Sequence, residues 1–229
     1  MGLTATITLF LTAIFLCINA LSAPVPVFAT ASAGMKIVLD AGHGGMDGGV
    51  TGLKTGVKES DLNLQITFAL KNQLEDMGFE VTLTRKTQSG LYGTPTKGFK
   101  RRDMLARKAV VEQAKPDLVL SIHQNRYPSH ATRGAQVFYD KSSDKSNPLA
   151  QSLQSSLNTL YKTQGVRERA VMKGEYFILT CADVPSVIIE CGFLSNAEDE
   201  RLLVTPEWQK KLSSSIVAGL MDYFSLSSS

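Results

Sequence analysis

The chain has 229 residues, 43% hydrophobic and 20% charged, with three cysteines and a formal net charge of +3. Such a composition excludes a disordered or disulfide-dense chain and suits one folded domain, or at most two. A small charge spread along the sequence gives no reason to expect a nucleic-acid or anionic-surface partner.

Residues 1–33 contain no charged side chain, and Ile7 to Leu21 is almost continuously apolar. About fifteen apolar residues are short for a membrane span. The small residues that follow (Ala29, Ala31, Ala33) supply A-x-A sites, so 1–33 is expected to be a signal peptide or uncleaved signal anchor. Residues 34–229 are then an exported, extracytoplasmic domain. Cys17 lies in the apolar run. Cys181 and Cys191 could pair or remain small buried hydrophobes, and no disulfide framework follows.

The first expected strand is Lys36–Asp40, whose centre Ile37-Val38-Leu39 is solidly apolar. It runs into a glycine-rich stretch holding His43. Glu59 ends that stretch, and a helix follows from Ser60 or Asp61, with Leu62, Ile66, Leu70 and Leu74 at helical spacing and Gly78 to close it. A strand is expected at Phe79–Thr84. Arg101–Ala114 is expected to be a helix, and the basic cluster Lys97, Lys100, Arg101, Arg102, Arg107 and Lys108 reads as its solvated face. Asp117–Ile122 is a second solidly apolar strand and leads directly to His123. His130 falls in a polar loop. A strand at Gly134–Tyr139, a helix at Pro148–Tyr161, strands at Tyr176–Leu179 and Ser186–Glu190, and a helix at Pro206–Phe224 complete the chain.

Solidly apolar strands alternating with amphipathic helices indicate an α/β fold: a single domain with a mostly parallel, helix-flanked sheet of about six strands. In such sheets the site lies beyond the carboxyl ends of the strands. His43, Glu59, His123 and Glu190 all fall there. Two imidazoles and a carboxylate are a ligand set for catalytic zinc, and a second carboxylate would carry protons. Position alone leaves open which glutamate does which, and equally whether the histidines are ordinary loop residues. The glycines match neither G-x-G-x-x-G opening a helix nor G-K-[ST], so a phosphate cradle is not expected.

Five motifs in order then resemble the zinc N-acetylmuramoyl-L-alanine amidases. They are D-A-G-H-G-G-M-D-G-G (40–49), K-E-S-D-L-N-L (58–64), S-I-H-Q-N (121–125), R-G-A-Q-V-F-Y (133–139) and I-I-E-C-G-F-L-S-N (188–196). The resemblance implies the phosphorylase/hydrolase-like fold of that family and one zinc ion held by His43, Glu59 and His123. It also implies Glu190 as the catalytic glutamate. The implied reaction is hydrolysis of the amide between the lactyl group of N-acetylmuramic acid and L-alanine of the peptidoglycan stem peptide. No substrate-binding residue is singled out. Ala41, Gln124 and Cys191 depart from the family's usual Pro, Ala and aliphatic residue without removing a ligand. T-K-G-F-K-R-R-D (96–103) and the lack of a wall-binding module resemble the germination-specific, spore-cortex amidases, which act in muramic-lactam formation. A vegetative autolysin or cell-separation amidase is the alternative within the family. Outside it stand a catalytically silent peptidoglycan-binding regulator and a metallopeptidase cutting stem peptides. With no targeting module, an activating or positioning partner protein is expected.

Overall fold

The computed structural model describes residues 34–227; the expected signal segment at 1–33 lies outside them. In chain order the elements are β1 (Lys36–Ala41), α1 (Glu59–Asp76), β2 (Glu80–Leu83), α2 (Phe99–Ala114), β3 (Leu118–Asn125) and β4 (Gln136–Asp140). There follow α3 (Ser146–Lys162), β5 (Met172–Gly174), a 3₁₀ turn (Phe177–Thr180), β6 (Ser186–Phe193), α4 (Ala197–Leu203) and α5 (Pro206–Ser227).

The six strands form one sheet in the order β2-β1-β3-β6-β4-β5. β2, β1, β3 and β6 are mutually parallel, whereas β4 runs antiparallel to β6 and parallel to β5. The α/β class and the mostly parallel sheet are therefore as the apolar strands required. Burial on both faces is the reason: Val38 and Leu39 on β1, and Val119 and Leu120 on β3, point to opposite faces and are all fully buried.

The two faces are covered unequally. α1, α3 and α5 pack one face, where Leu62, Ile66, Leu70, Leu153, Leu212 and Ile216 meet Leu39, Leu120, Val137 and Ile189. The other face is covered by α2 and the 3₁₀ turn, through a smaller group centred on Val38, Val119, Ile188, Val111 and Ile178. Among the described residues no helix is long and apolar enough to cross a membrane.

Three expectations change. Tyr176–Leu179 is not a strand: the edge strand is Met172–Gly174, and Ile178 and Leu179 bury themselves against the sheet face instead of pairing at its edge. The first helix opens at Glu59 rather than at Ser60 or Asp61, with no side-chain cap; the free N–H groups of Glu59 and Ser60 bond to the carbonyls of Val50 and Gly48. α4 was not expected. Asn196 caps it, its side chain accepting from the N–H groups of Glu198 and Asp199. Cys181 and Cys191 are both buried free thiols.

Candidate active site

The parallel strands end on one edge, and there β1, β3 and β6 release their side chains into solvent-facing space. His43 stands two residues past β1, in the left-handed region at φ 61°. That conformation costs a residue with a Cβ about 1–2 kcal/mol, and buried arginines hold it. Arg107 donates through Nη2 to the His43 carbonyl (2.5 Å) and through Nη1 to the Ala41 carbonyl (2.8 Å). Arg85 donates to the carbonyls of Ala41 (2.8 Å), Gly42 (3.0 Å) and Ser60 (2.7 Å). Two carboxylates answer these charges. Asp40 pairs with Arg107 Nη1 (2.5 Å) and Asp103 with its Nε (2.7 Å). Burial works against the charge on Asp40, yet Arg107, Ser121 and His123 hold its pKa down at about 2.

Arg107 and Asp103 belong to the stretch expected to be a solvated helix face, and that expectation fails for them. Arg107 is 1% exposed. Exposed members behave as a surface does, Lys100 and Lys108 forming outer ion pairs with Asp47 and Glu112. Composition alone cannot separate the two kinds of basic residue; the only available signal was the acidic Asp103 four residues before Arg107, a spacing that pairs on a helix.

Glu59, His43 and His123 meet in front of this frame. Glu59 Oε1 lies 3.2 Å from His43 Nε2 and 2.9 Å from His123 Nδ1. The two rings stand edge to face, with centroids 4.9 Å apart. Asp47 holds the other nitrogen of His43 at 3.0 Å, the carboxylate–imidazole arrangement that orients a ligating histidine. Backbone N–H groups of Val50 and Gln124 and the Asn63 amide also donate to Glu59. Two glycines leave the room needed: a Cβ on Gly42 would meet the His123 ring at 2.2 Å, and one on Gly49, at φ 68°, would meet Glu59 Oε2 at 2.4 Å.

The ligand atoms of these three residues all lie within 4.8 Å of one another, so they can grip one small cation. The electrostatics ask for one. Burial resists charge on His43, but the hydrogen bonds and fields of Glu59 and Asp47 raise its pKa to about 9. Burial also resists ionisation of Glu59, yet the two histidines hold its carboxyl far below the usual range. The cluster thus favours a positive charge between its members, which a divalent ion held by two neutral imidazoles and a carboxylate would supply.

Glu190 sits on β6 as the Cα partner of His123. It is not tied into the cluster. Its Oε2 is buried without a hydrogen-bond partner, which is uncommon for a carboxylate. Burial, reinforced by the charge of Glu59 and opposed by the two histidines, raises its pKa to about 7. One carboxylate is therefore ionised and engaged, and the other is free and poised near neutrality. His130 stays outside the cluster and contacts the Ser195 carbonyl at 2.6 Å.

A His/Glu/His group able to hold a cation, with a separate buried glutamate at the edge of a parallel sheet, fits the site of a metal-assisted hydrolase. Residues 37–222 match the N-acetylmuramoyl-L-alanine amidase family, and the chain belongs to it. The germination-specific N-acetylmuramoyl-L-alanine amidase of Bacillus subtilis is 34% identical over 194 residues, covering 83% of this chain and 80% of that protein. Among solved structures, the CwlD amidase of Clostridioides difficile in complex with the GerS lipoprotein superposes with a TM-score of 0.79 at 33% identity, covering 84% of this chain and 99% of that one. The catalytic domain of CwlV from Bacillus (Paenibacillus) polymyxa gives 0.69 at 26% identity, over 83% and 98%. Membership brings amidase activity on peptidoglycan, an extracytoplasmic substrate.

Proposed function

We propose that the chain is a zinc-dependent amidase that cleaves the lactyl–L-alanine amide of peptidoglycan, with one ion held by His43, Glu59 and His123. The observation that carries this reading is the division between two glutamates, Glu59 bound between two imidazoles and Glu190 free with a pKa near 7. Zinc held by these three residues would supply Lewis-acid chemistry, lowering the pKa of a water and polarising the amide carbonyl. Glu190 takes a proton from the attacking water and delivers one to the nitrogen as the C–N bond breaks. Asp47 keeps the His43 ring turned toward Glu59, and Arg107 and Arg85 hold the loop that carries it.

Spore cortex is the proposed wall, where the reaction would lead to muramic lactam. Its support is the similarity to the germination-specific enzyme of B. subtilis. The CwlD structure contains a lipoprotein, and we extend that arrangement to this chain as an activating partner. Export through residues 1–33 belongs to the same reading.

Metal analysis of purified protein beside His123→Ala tests the ion: one zinc per chain is expected in the parent and a large loss in the variant. Wall digests should release peptides beginning with L-alanine and leave glycan strands bearing lactyl carboxylates; peptide fragments cut elsewhere would make the chain a peptidase instead.

A further inference from the structure

Glu190 has two unlike neighbours along the sheet edge. One is His123 on β3, and the other is Gln136 on β4, its antiparallel partner. Toward His123 lies a cleft of about 280 Å³, walled by Tyr92, Phe99, Met104, Phe177 and Ile188, whose one lysine, Lys100, is paired with Asp47. Toward Gln136 the chemistry reverses. Gln136 Oε1 accepts from Arg169 Nε at 2.8 Å, and the Arg169 guanidinium lies 5.1 Å from the centroid of the Phe193 ring. Arg169 shares a recess of about 330 Å³ with Arg133 and Arg167.

The three arginines are not equivalent. Arg133 is answered by Asp199, which is fully buried and 2.9 Å from its Nε. Arg167 is exposed, and among the described residues no ion pair or hydrogen bond engages its guanidinium. Arg169 spends one N–H on Gln136 and retains the others. Against Arg167 and Arg169 stands a single exposed carboxylate, Glu168. Folding leaves this recess short of negative charge.

The direction of the substrate follows from proton delivery. In amide hydrolysis water adds hydroxide to the carbonyl carbon, the C–N bond breaks, and the nitrogen leaves with the proton. Glu190 must therefore face that nitrogen, with the carbonyl toward His43 and His123. The peptide starts at the nitrogen and continues on the free side of Glu190, past Gln136. One strand spacing is about 4.8 Å, and two extended residues span about 7 Å, enough to bring the second residue of the peptide to Arg169.

Resting on the amidase reading above, we propose that Arg167 and Arg169 form a carboxylate-binding subsite for the stem peptide on the leaving-group side of the scissile amide. The ligand is the free α-carboxylate of the γ-linked D-glutamyl residue that follows L-alanine. Guanidinium forks suit it because they grip a carboxylate through two parallel N–H bonds.

The test compares a soluble muramoyl peptide carrying that α-carboxylate with its α-amide, using the zinc-loaded full chain. The parent should favour the free acid roughly tenfold in kcat/KM, equivalent to one net charge-assisted contact and expressed in KM. R167Q should shrink the preference, R167Q/R169Q should abolish it, and R169K should keep part of it. Among the described residues Arg167 has no partner, so its variant tests the subsite without removing a contact of the fold. Equal use of acid and amide by the parent, or an undiminished preference in the double variant, overturns the subsite. A zinc-loaded parent that hydrolyses neither compound even with the proposed activating lipoprotein present overturns the amidase reading itself.

Discussion

The two faces of the sheet are built for different tasks. Beneath α1, α3 and α5 the contact is aliphatic and aromatic, with Leu62, Ile66, Leu153, Leu212 and Ile216 fully buried. Burying such a side chain stabilises by about 1.5–3 kcal/mol, so this face supplies most of the driving force for folding. Beneath α2 the apolar group is small, and the interior holds Asp40, Asp103, Arg85 and Arg107. Buried ion pairs add little net stability, because desolvation cancels much of their attraction. What this face gains is placement: its charges hold His43 in a left-handed conformation, and His123 and Glu190 project from the same side. Most of the stability and most of the chemistry lie on opposite sides of one sheet, with Glu59 at the head of α1 reaching the edge they share.

The sharpest test of that separation is Glu190→Gln. It should lower kcat by about 10²–10⁴-fold, the usual worth of a positioned acid–base group, while zinc content stays at the parental level; activity retained within tenfold would remove Glu190 from the chemistry. Arg107→Met comes next and should cross the boundary. It strands Asp40 and Asp103 in the interior, costing about 3–5 kcal/mol, and weakens zinc binding by releasing the His43 loop. Chemical unfolding combined with chelator competition reads both effects, and a stability loss with unchanged zinc affinity would deny the network its positioning role.

On the other face Leu212→Ala should cost about 2–5 kcal/mol. Its kcat and zinc affinity, measured below the lowered melting temperature, should match the parent; a fall in either would show that the faces are coupled.

The smallest expected effect is in pH. In metal-free protein His43 is raised from 6.5 to about 9, so the stability its proton confers is complete below pH 6.5 and is lost as pH rises to 9. Glu190, raised from 4.5 to about 7, loses stability in the same direction between those values. An ion held through His43, as proposed, would have to displace its proton, so zinc affinity should climb roughly tenfold per pH unit up to about 9. Melting curves with and without zinc should therefore diverge with rising pH, and parallel curves would contradict the ion-for-proton exchange at His43.

Much of this was legible in the residues. Apolar cores such as Ile37-Val38-Leu39 and Val187-Ile188-Ile189 announce strands covered on both sides, and that alone sends His43, His123 and Glu190 to one edge. The glycines beside His43 mark close approach of backbone and ring. Local pattern failed where long-range contact chose the outcome. Tyr-Phe-Ile-Leu at 176–179 has strand composition, but its aliphatic residues find burial on the sheet face and fold as a 3₁₀ turn. Arg107 resembles its solvated neighbours until α2 docks and delivers it to Asp40, 67 positions away.

The sequence by itself determined the architecture, because apolar periodicity dictates which surfaces must be buried, and it placed the candidate site, because strand order dictates which ends meet. Only the tertiary structure decided the state of each charged group. Whether Glu59 is engaged and Glu190 free, whether Arg107 is sealed in and Arg167 left open, depends on desolvation and on partners brought from distant parts of the chain. Those are energies of arrangement in space, and no single residue carries them.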